Sequence, residues 1–184
     1  MMIKMEPRRL RVVLHIDTNQ INGRQKIPAM NQLEAWERAD LILINMSGTA
    51  RGEAKAGGDA PRNRKADQQI FTCTDPDETT DRTYRKIEQA LFPNGVQDEN
   101  QRNDVRIVYD AAKYGARLVT ADGASRSQPG GILGNRHKLT GLVEILTPDE
   151  AVATVRRQIQ ERDDFNRRVA QETGQPLPDW TGKD

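Results

Sequence analysis

Four carboxylates, Asp17, Glu53, Asp104 and Asp122, stand beside strand and helix signals in a pattern that would let one fold gather them into a single acidic pocket. Asp17 ends the apolar run of residues 12–16, and Asp122 ends a second run over residues 118–121. If these runs are neighbouring parallel strands, both acids emerge at the same carboxyl edge, where open α/β sheets keep their ligand sites. Carboxylate oxygens are the preferred ligands of Mg²⁺ and Mn²⁺, and such sites retain waters and take up substrate phosphates. Crowded acids repel one another, and a divalent ion relieves that repulsion. One or two bound ions would polarise a phosphodiester and activate a water for in-line attack. This chemistry needs neither cysteine nor histidine, and the chain has one Cys and two His.

The elements that must position these acids follow from the hydropathy pattern. A first buried strand is expected from Leu10 to Ile16 and a second from Leu41 to Met46. Between them Pro28 opens a helix whose apolar stripe is Met30, Leu33, Ala35 and Trp36, lasting until Asp40. The segment Ser47 to Gly52 delivers Glu53 near the start of a short helical stretch limited by Gly57 and Gly58. Residues 55–65 read as a mobile basic loop containing Lys55, Arg62, Arg64 and Lys65. An extended piece is expected from Gln69 to Thr74, and a helix from Thr79 to Leu91 with Tyr84, Ile87 and Leu91 on one side.

The clearest helix signal comes next, with Asn103 as N-cap, Val105, Ile107, Val108, Ala111 and Ala112 as buried side, and Gly115 at C′. Positions 104, 108 and 111 share a face, so Asp104 should point inward near the helix's positive end, while Asp110 should be solvated. After the strand ending at Asp122, a Gly-, Ser- and Pro-containing loop runs to Gly134, followed by an outer strand over 142–146. Thr147, Pro148 and Glu150 form an N-terminal capping signature for a last helix packed by Val152, Val155 and Ile159, whose stripe fades by Arg162. The order of elements fits a three-layer α/β/α domain with a central, mostly parallel sheet, plus a C-terminal helix. Residues 1–150 should form the domain, and 151–184 the C-terminal helix and a loosely held tail.

Other residues attract weaker readings. The Ser47–Gly52 segment lacks the lysine and spacing of a phosphate-binding P-loop, so a plain connection is favoured, although Arg51 could reach a substrate phosphate. His15 reads as a core or edge residue and His137 as solvent-facing. The basic stretch Arg62, Asn63, Arg64, Lys65 reads as solvated surface rather than an RNA-backbone contact.

His15 to Asn19, the Glu53 segment, Asn103 and Asp104 opening a helix, Leu118 to Asp122 and Ile145 to Pro148 together resemble a PIN domain over residues 10–150. PIN domains resemble the nuclease core of flap endonucleases, and many are the ribonuclease toxins of bacterial toxin–antitoxin pairs. The resemblance implies a Mg²⁺- or Mn²⁺-dependent endoribonuclease acting on single-stranded RNA. It makes Asp17, Asp104 and Asp122 metal ligands and Glu53 a metal-binding or water-orienting acid. Asn19 and Thr120 become supporting, substrate-side polar groups. An antitoxin protein and a homodimer are the partners it implies. The chain departs from the family pattern at Gly123, where charged residues are common, and in the long polar span between Glu53 and Asp104.

Composition bounds the alternatives. The 184 residues suit one domain, and a formal net charge of +1 gives no strong field toward nucleic acid. Neutralising the four acids with metal would leave a mildly basic surface. Cys73 is the only cysteine, so no intrachain disulfide exists and a reducing cytoplasm is the expected compartment. No stretch is apolar enough to suggest a membrane span. A catalytically degenerate PIN-like binding or scaffold module is the second reading. A phosphotransferase with Asp17 as nucleophile is the third, disfavoured because Asn19 stands where a second Asp is wanted.

Overall fold

The structure, a computed structural model, describes residues 3–68, 81–123 and 129–184. Four short strands, β1 (Val13–Ile16), β2 (Leu43–Asn45), β3 (Arg117–Val119) and β4 (Ile145–Leu146), form one sheet in the order β2-β1-β3-β4. Every pairing is parallel, with Leu14 opposite Ile44 and His15 opposite Leu118. The chain leaves β1 toward β2 on one side, while β3 joins β1 on the other. That reversal is the topological switch point, and Asp17 and Thr120 flank it at the carboxyl ends of β1 and β3.

Helices α1 (Pro28–Arg38), α2 (Gly48–Ala56), α3 (Ala60–Gln68), α4 (Arg82–Leu91), α5 (Glu99–Lys113), α6 (Gly131–Asn135) and α7 (Pro148–Thr173) flank this sheet. The α/β architecture with an added C-terminal helix is therefore as expected, and the sheet is parallel throughout. Leu14, Ile16, Ile44 and Leu118 from the strands meet Met30, Leu33, Val105, Val108 and Val155 from the helices in a continuous core. Burying each such side chain contributes on the order of 1.5–3 kcal/mol.

Several local expectations differ from what is found. Residues 55–65 are not a mobile loop: α2 ends at Ala56 and α3 begins at Ala60. Asp59 accepts the Arg62 backbone N–H at 3.2 Å, Ala66 is buried, and α3 packs against α2. The polar composition hid this helix because ion pairs hold it in place of an apolar stripe. Lys65 meets the buried Glu34 at 2.8 Å, Arg24 meets Asp59 at 2.9 Å, and Asp67 receives both Arg51 and Lys55. Ser47 caps α2 by accepting the Ala50 N–H, so the segment read as a plain connection is helical. The loop expected to run to Gly134 gives way to α6 at Gly131. The extended piece expected over 69–74 lies outside the described residues.

Helix α5 starts a turn earlier than expected, capped by Asp98, whose side chain accepts the Gln101 N–H. Asp110 is not solvated; only 1 % of it is exposed. Residues 107–111 are all buried because α4 covers the side of α5 that lies away from the sheet, with Tyr84 stacked edge-on to Tyr109.

Helix α7 continues to Thr173, well past Arg162, because its second half buries polar groups that are paired. Arg162 meets Asp163 at 2.8 Å and Asp184 at 2.9 Å, and stacks over Trp180. Asn166 bonds both backbone groups of Glu6, and Gly182 donates to Asp163. The tail expected to be loose is thus tied to α7, and through Arg8 and Asp184 to the N-terminal segment. No helix among the described residues is long and apolar enough to cross a membrane.

Candidate metal centre

The four candidate acids come from four separate elements near the switch point. Asp17 follows β1 and caps the 3₁₀ turn Thr18–Gln20, accepting the Thr18 N–H at 2.6 Å. Its other oxygen accepts from Thr120 Oγ1 at 2.6 Å and from Asn19 Nδ2 at 2.8 Å. Asn19 in turn accepts the Ala121 N–H through Oδ1, which ties the ends of β1 and β3 together. These contacts lock the rotamer of a carboxylate that is only 6 % exposed.

Glu53 occupies the second turn of α2. One oxygen accepts from Thr18 Oγ1 at 2.8 Å and the other from Asn103 Nδ2 at 2.9 Å. Thr18 also donates to the Ala50 carbonyl, so the 3₁₀ turn, α2 and α5 are joined through this one side chain. Asp122 is held differently. Its Oδ2 accepts the Ile132 N–H at 2.8 Å and its carbonyl the Leu133 N–H at 2.9 Å, both from α6. Gly131, at φ 55°, passes so close that an added Cβ would lie 2.5 Å from Asp122 Oδ2.

Asp104 lies in the second turn of α5, not at its tip as expected. The helix dipole, which fades within the first turn, therefore gives it little help. Burial pushes its carboxyl up to about 7, and the negative charges of Asp122, Asp17, Glu53 and Asp98 push in the same direction. Burial also raises Asp17, against the hydrogen bonds from Thr120 and Thr18 that favour its charged form, while Glu53 and Asp122 add repulsion. The four acids thus feel one another, and two carry the cost of that crowding. Among the described residues, however, no three of them close up as a ready coordination shell. The hydrogen bonds account for this, because Asp122 turns onto α6 and Glu53 is held between Thr18 and Asn103.

The remaining candidates fall into place around this cluster. Thr120 and Asn19 both contact Asp17. Arg51 does not reach the acids; its guanidinium is paired with Asp67 at 2.8 Å on the surface. Arg62 comes closer, donating to the Thr18 carbonyl at 2.7 Å. His15 is buried in β1, and that burial lowers it to about 4, so it is neutral at ordinary pH. His137 is exposed as expected.

Thr18, Asn103 and the Gly130–Gly131 pair were missed as site-building residues. The glycine pair carried a legible signal, since both adopt positive φ where the chain folds back under Asp122. Asn103 stood next to a candidate acid but was assigned to a cap that Asp98 supplies.

Neither a protein-family model nor a curated protein sequence matches the chain. Its structure is similar to a crystal structure of VapBC2 from Rickettsia felis bound to a DNA fragment from their promoter. The match has a TM-score of 0.50 at 18 % sequence identity and covers 74 % of this chain and 98 % of that one. At that identity the likeness shows the fold alone, which agrees with the PIN-like α/β architecture expected from the sequence.

Proposed function

We propose that the protein is a Mg²⁺- or Mn²⁺-dependent endoribonuclease acting on single-stranded RNA. The observation that carries this reading is the gathering of four carboxylates near the switch point, where burial first, and then the negative charge of the neighbouring acids, raises Asp17 and pushes Asp104 up to about 7. Acids held in that state gain from a divalent cation, and an all-oxygen donor set suits Mg²⁺ or Mn²⁺. Asp17, Asp104 and Asp122 would hold the ion, with Glu53 as a further ligand or water-orienting acid. The bound ion would supply Lewis-acid polarisation of a phosphodiester oxygen. Thr120 and Asn19 fix the direction of Asp17, and Thr18 and Asn103 fix Glu53. The partly exposed Glu53 is the group best disposed to orient an attacking water through a hydrogen bond. RNA as the substrate rests on the family resemblance. An antitoxin-type partner rests on that resemblance and on the likeness to VapBC2, and a homodimer rests on the resemblance alone.

The test is cleavage of single-stranded RNA with and without Mn²⁺ by the wild type and by Asp104→Asn. Metal-stimulated cleavage that disappears in a folded variant supports the proposal, whereas equal activity in both proteins contradicts it. A second reading, a catalytically degenerate binding or scaffold module on the same fold, is favoured by the engagement of Asp122 with Ile132 and of Glu53 with Asn103. Calorimetry separates the two. Tight Mn²⁺ binding that depends on Asp17 and Asp122 counts against the scaffold reading.

A further inference from the structure

A cleft of about 390 Å³ lies between the end of α4, the start of α5 and α6. It is in the size range of sites that enclose a small ligand, about 300–1,000 Å³. Its position is tied to the acids along two elements. Gln101, in its wall, is one helical turn before Asp104 on α5, and residues three apart are neighbours on a helix surface. Asn135, also in its wall, is three residues beyond Ile132, whose N–H holds the Asp122 carboxylate.

The polar groups in this wall are not interchangeable, because backbone contacts fix which way each amide faces. Gln101 Oε1 accepts the Gln97 N–H at 2.7 Å, which leaves its Nε2 donor available. Asn135 Nδ2 donates to the carbonyls of Pro129 at 3.2 Å and Gly131 at 2.8 Å, which leaves its Oδ1 acceptor available. Both residues are buried, Gln101 being 5 % exposed and Asn135 8 %, so neither amide is free to turn over. Phe92, Pro93 and Pro129 supply apolar surface, and the exposed Lys138 brings positive charge to the rim. One fixed donor, one fixed acceptor, an apolar wall and a cation form a combination complementary to a nucleobase with its phosphate. Bases of single-stranded RNA are recognised in this way, through hydrogen bonds to their edges and contact with their faces.

We propose that this cleft is a base-reading subsite that accepts one nucleotide flanking the scissile phosphate of a single-stranded RNA. The proposal rests on the ribonuclease reading of the four acids. A site that hydrogen-bonds one base edge leaves buried groups unpaired when the wrong base enters, so it discriminates. Arg136 and Glu150, paired with each other at 2.8 Å nearby, play no part in it.

The experiment is an NMR titration of the full chain, in EDTA, with each of the four nucleoside monophosphates. The expected result is saturable shifts of the Gln101 and Asn135 side-chain amides, with one base binding several-fold more tightly than the others. Gln101→Glu, which keeps the acceptor for Gln97 and replaces the donor, should weaken that base at least tenfold. Lys138→Ala, on the exposed rim, should weaken all four monophosphates alike, and it serves as the readout if Gln101→Glu does not fold. Absence of binding, shifts centred elsewhere, equal affinity for all four bases, or a Lys138→Ala variant indistinguishable from wild type would overturn the proposal. Because the titration needs neither metal nor turnover, failed RNA cleavage and failed base binding are read separately.

Discussion

Replacing Asp104 by Asn should stabilise the metal-free protein at neutral and alkaline pH. Asp104 is raised from 3.8 to about 7, chiefly by burial and then by Asp122, Asp17 and Glu53. A carboxyl whose folded pKa exceeds its unfolded value adds stability while the folded form holds its proton. That contribution is complete below about pH 4 and is lost as pH rises through about 7. A shift of about three units at 1.36 kcal/mol per unit amounts to about 4 kcal/mol between those limits. Relaxation of neighbouring groups makes this an upper bound. Asn keeps the shape of the side chain without the charge, so the variant should lack this slope. The assay is urea denaturation in EDTA from pH 4.5 to 8.5. Wild-type stability should fall across that range by up to about 3 kcal/mol relative to Asp104→Asn, since part of the contribution is already lost at pH 4.5, a gap of roughly 6–12 °C in Tm for a protein of this size. Superimposable pH profiles for the two proteins would refute the claim that the acids burden one another. Saturating Mn²⁺ should stabilise the wild type above pH 7 and leave the variant nearly unchanged.

Gly131→Ala forces a Cβ within 2.5 Å of the Asp122 carboxylate at a backbone φ of 55°. It should cost on the order of 1–3 kcal/mol by thermal melting and break the hydrogen bond from the Ile132 N–H to the Asp122 carboxylate. Thr120→Val removes the donor to Asp17 Oδ2 at 2.6 Å. By loss of that buried hydrogen bond it should destabilise the fold by about 1–3 kcal/mol in denaturant titration, and raise the Asp17 pKa further, as followed by carboxyl NMR. Arg162→Ala leaves the buried carboxylates of Asp163 and Asp184 without their shared cation. A loss of about 3–5 kcal/mol is expected, together with faster amide exchange in residues 174–184.

The sheet was legible because apolar, β-branched runs are buried on both faces; Asp17 directly follows β1 as expected, whereas β3 stops at Val119 and Asp122 lies beyond its end. Helix α7 declared its start through Thr147, Pro148 and Glu150, whose capping box is present in full. What could not be read depended on contacts between segments far apart in sequence. Helix α3 carries no apolar stripe and is held by ion pairs with α1, α2 and the residue 24 region. Asp110 looked solvent-facing because nothing local announced that α4 would cover it. Asp104 was correctly turned inward, since its phase on α5 does not depend on where the helix begins. Its electrostatic setting was misjudged, because Asp98 rather than Asn103 caps that helix. The engagement of Asp122 by α6 follows from the fold-back at Gly130 and Gly131, which brings the Ile132 N–H, ten residues on, to its carboxylate, a pairing that no periodicity reveals.

The most direct test of the central claim is anomalous diffraction from crystals of the protein soaked in Mn²⁺. The account predicts a manganese peak bonded to oxygens of Asp17 and Asp104, with Asp122 or Glu53 turned from its present partner to join them. Crystals that diffract well, hold Mn²⁺ at millimolar concentration in the mother liquor and show no peak among these four carboxylates would contradict it.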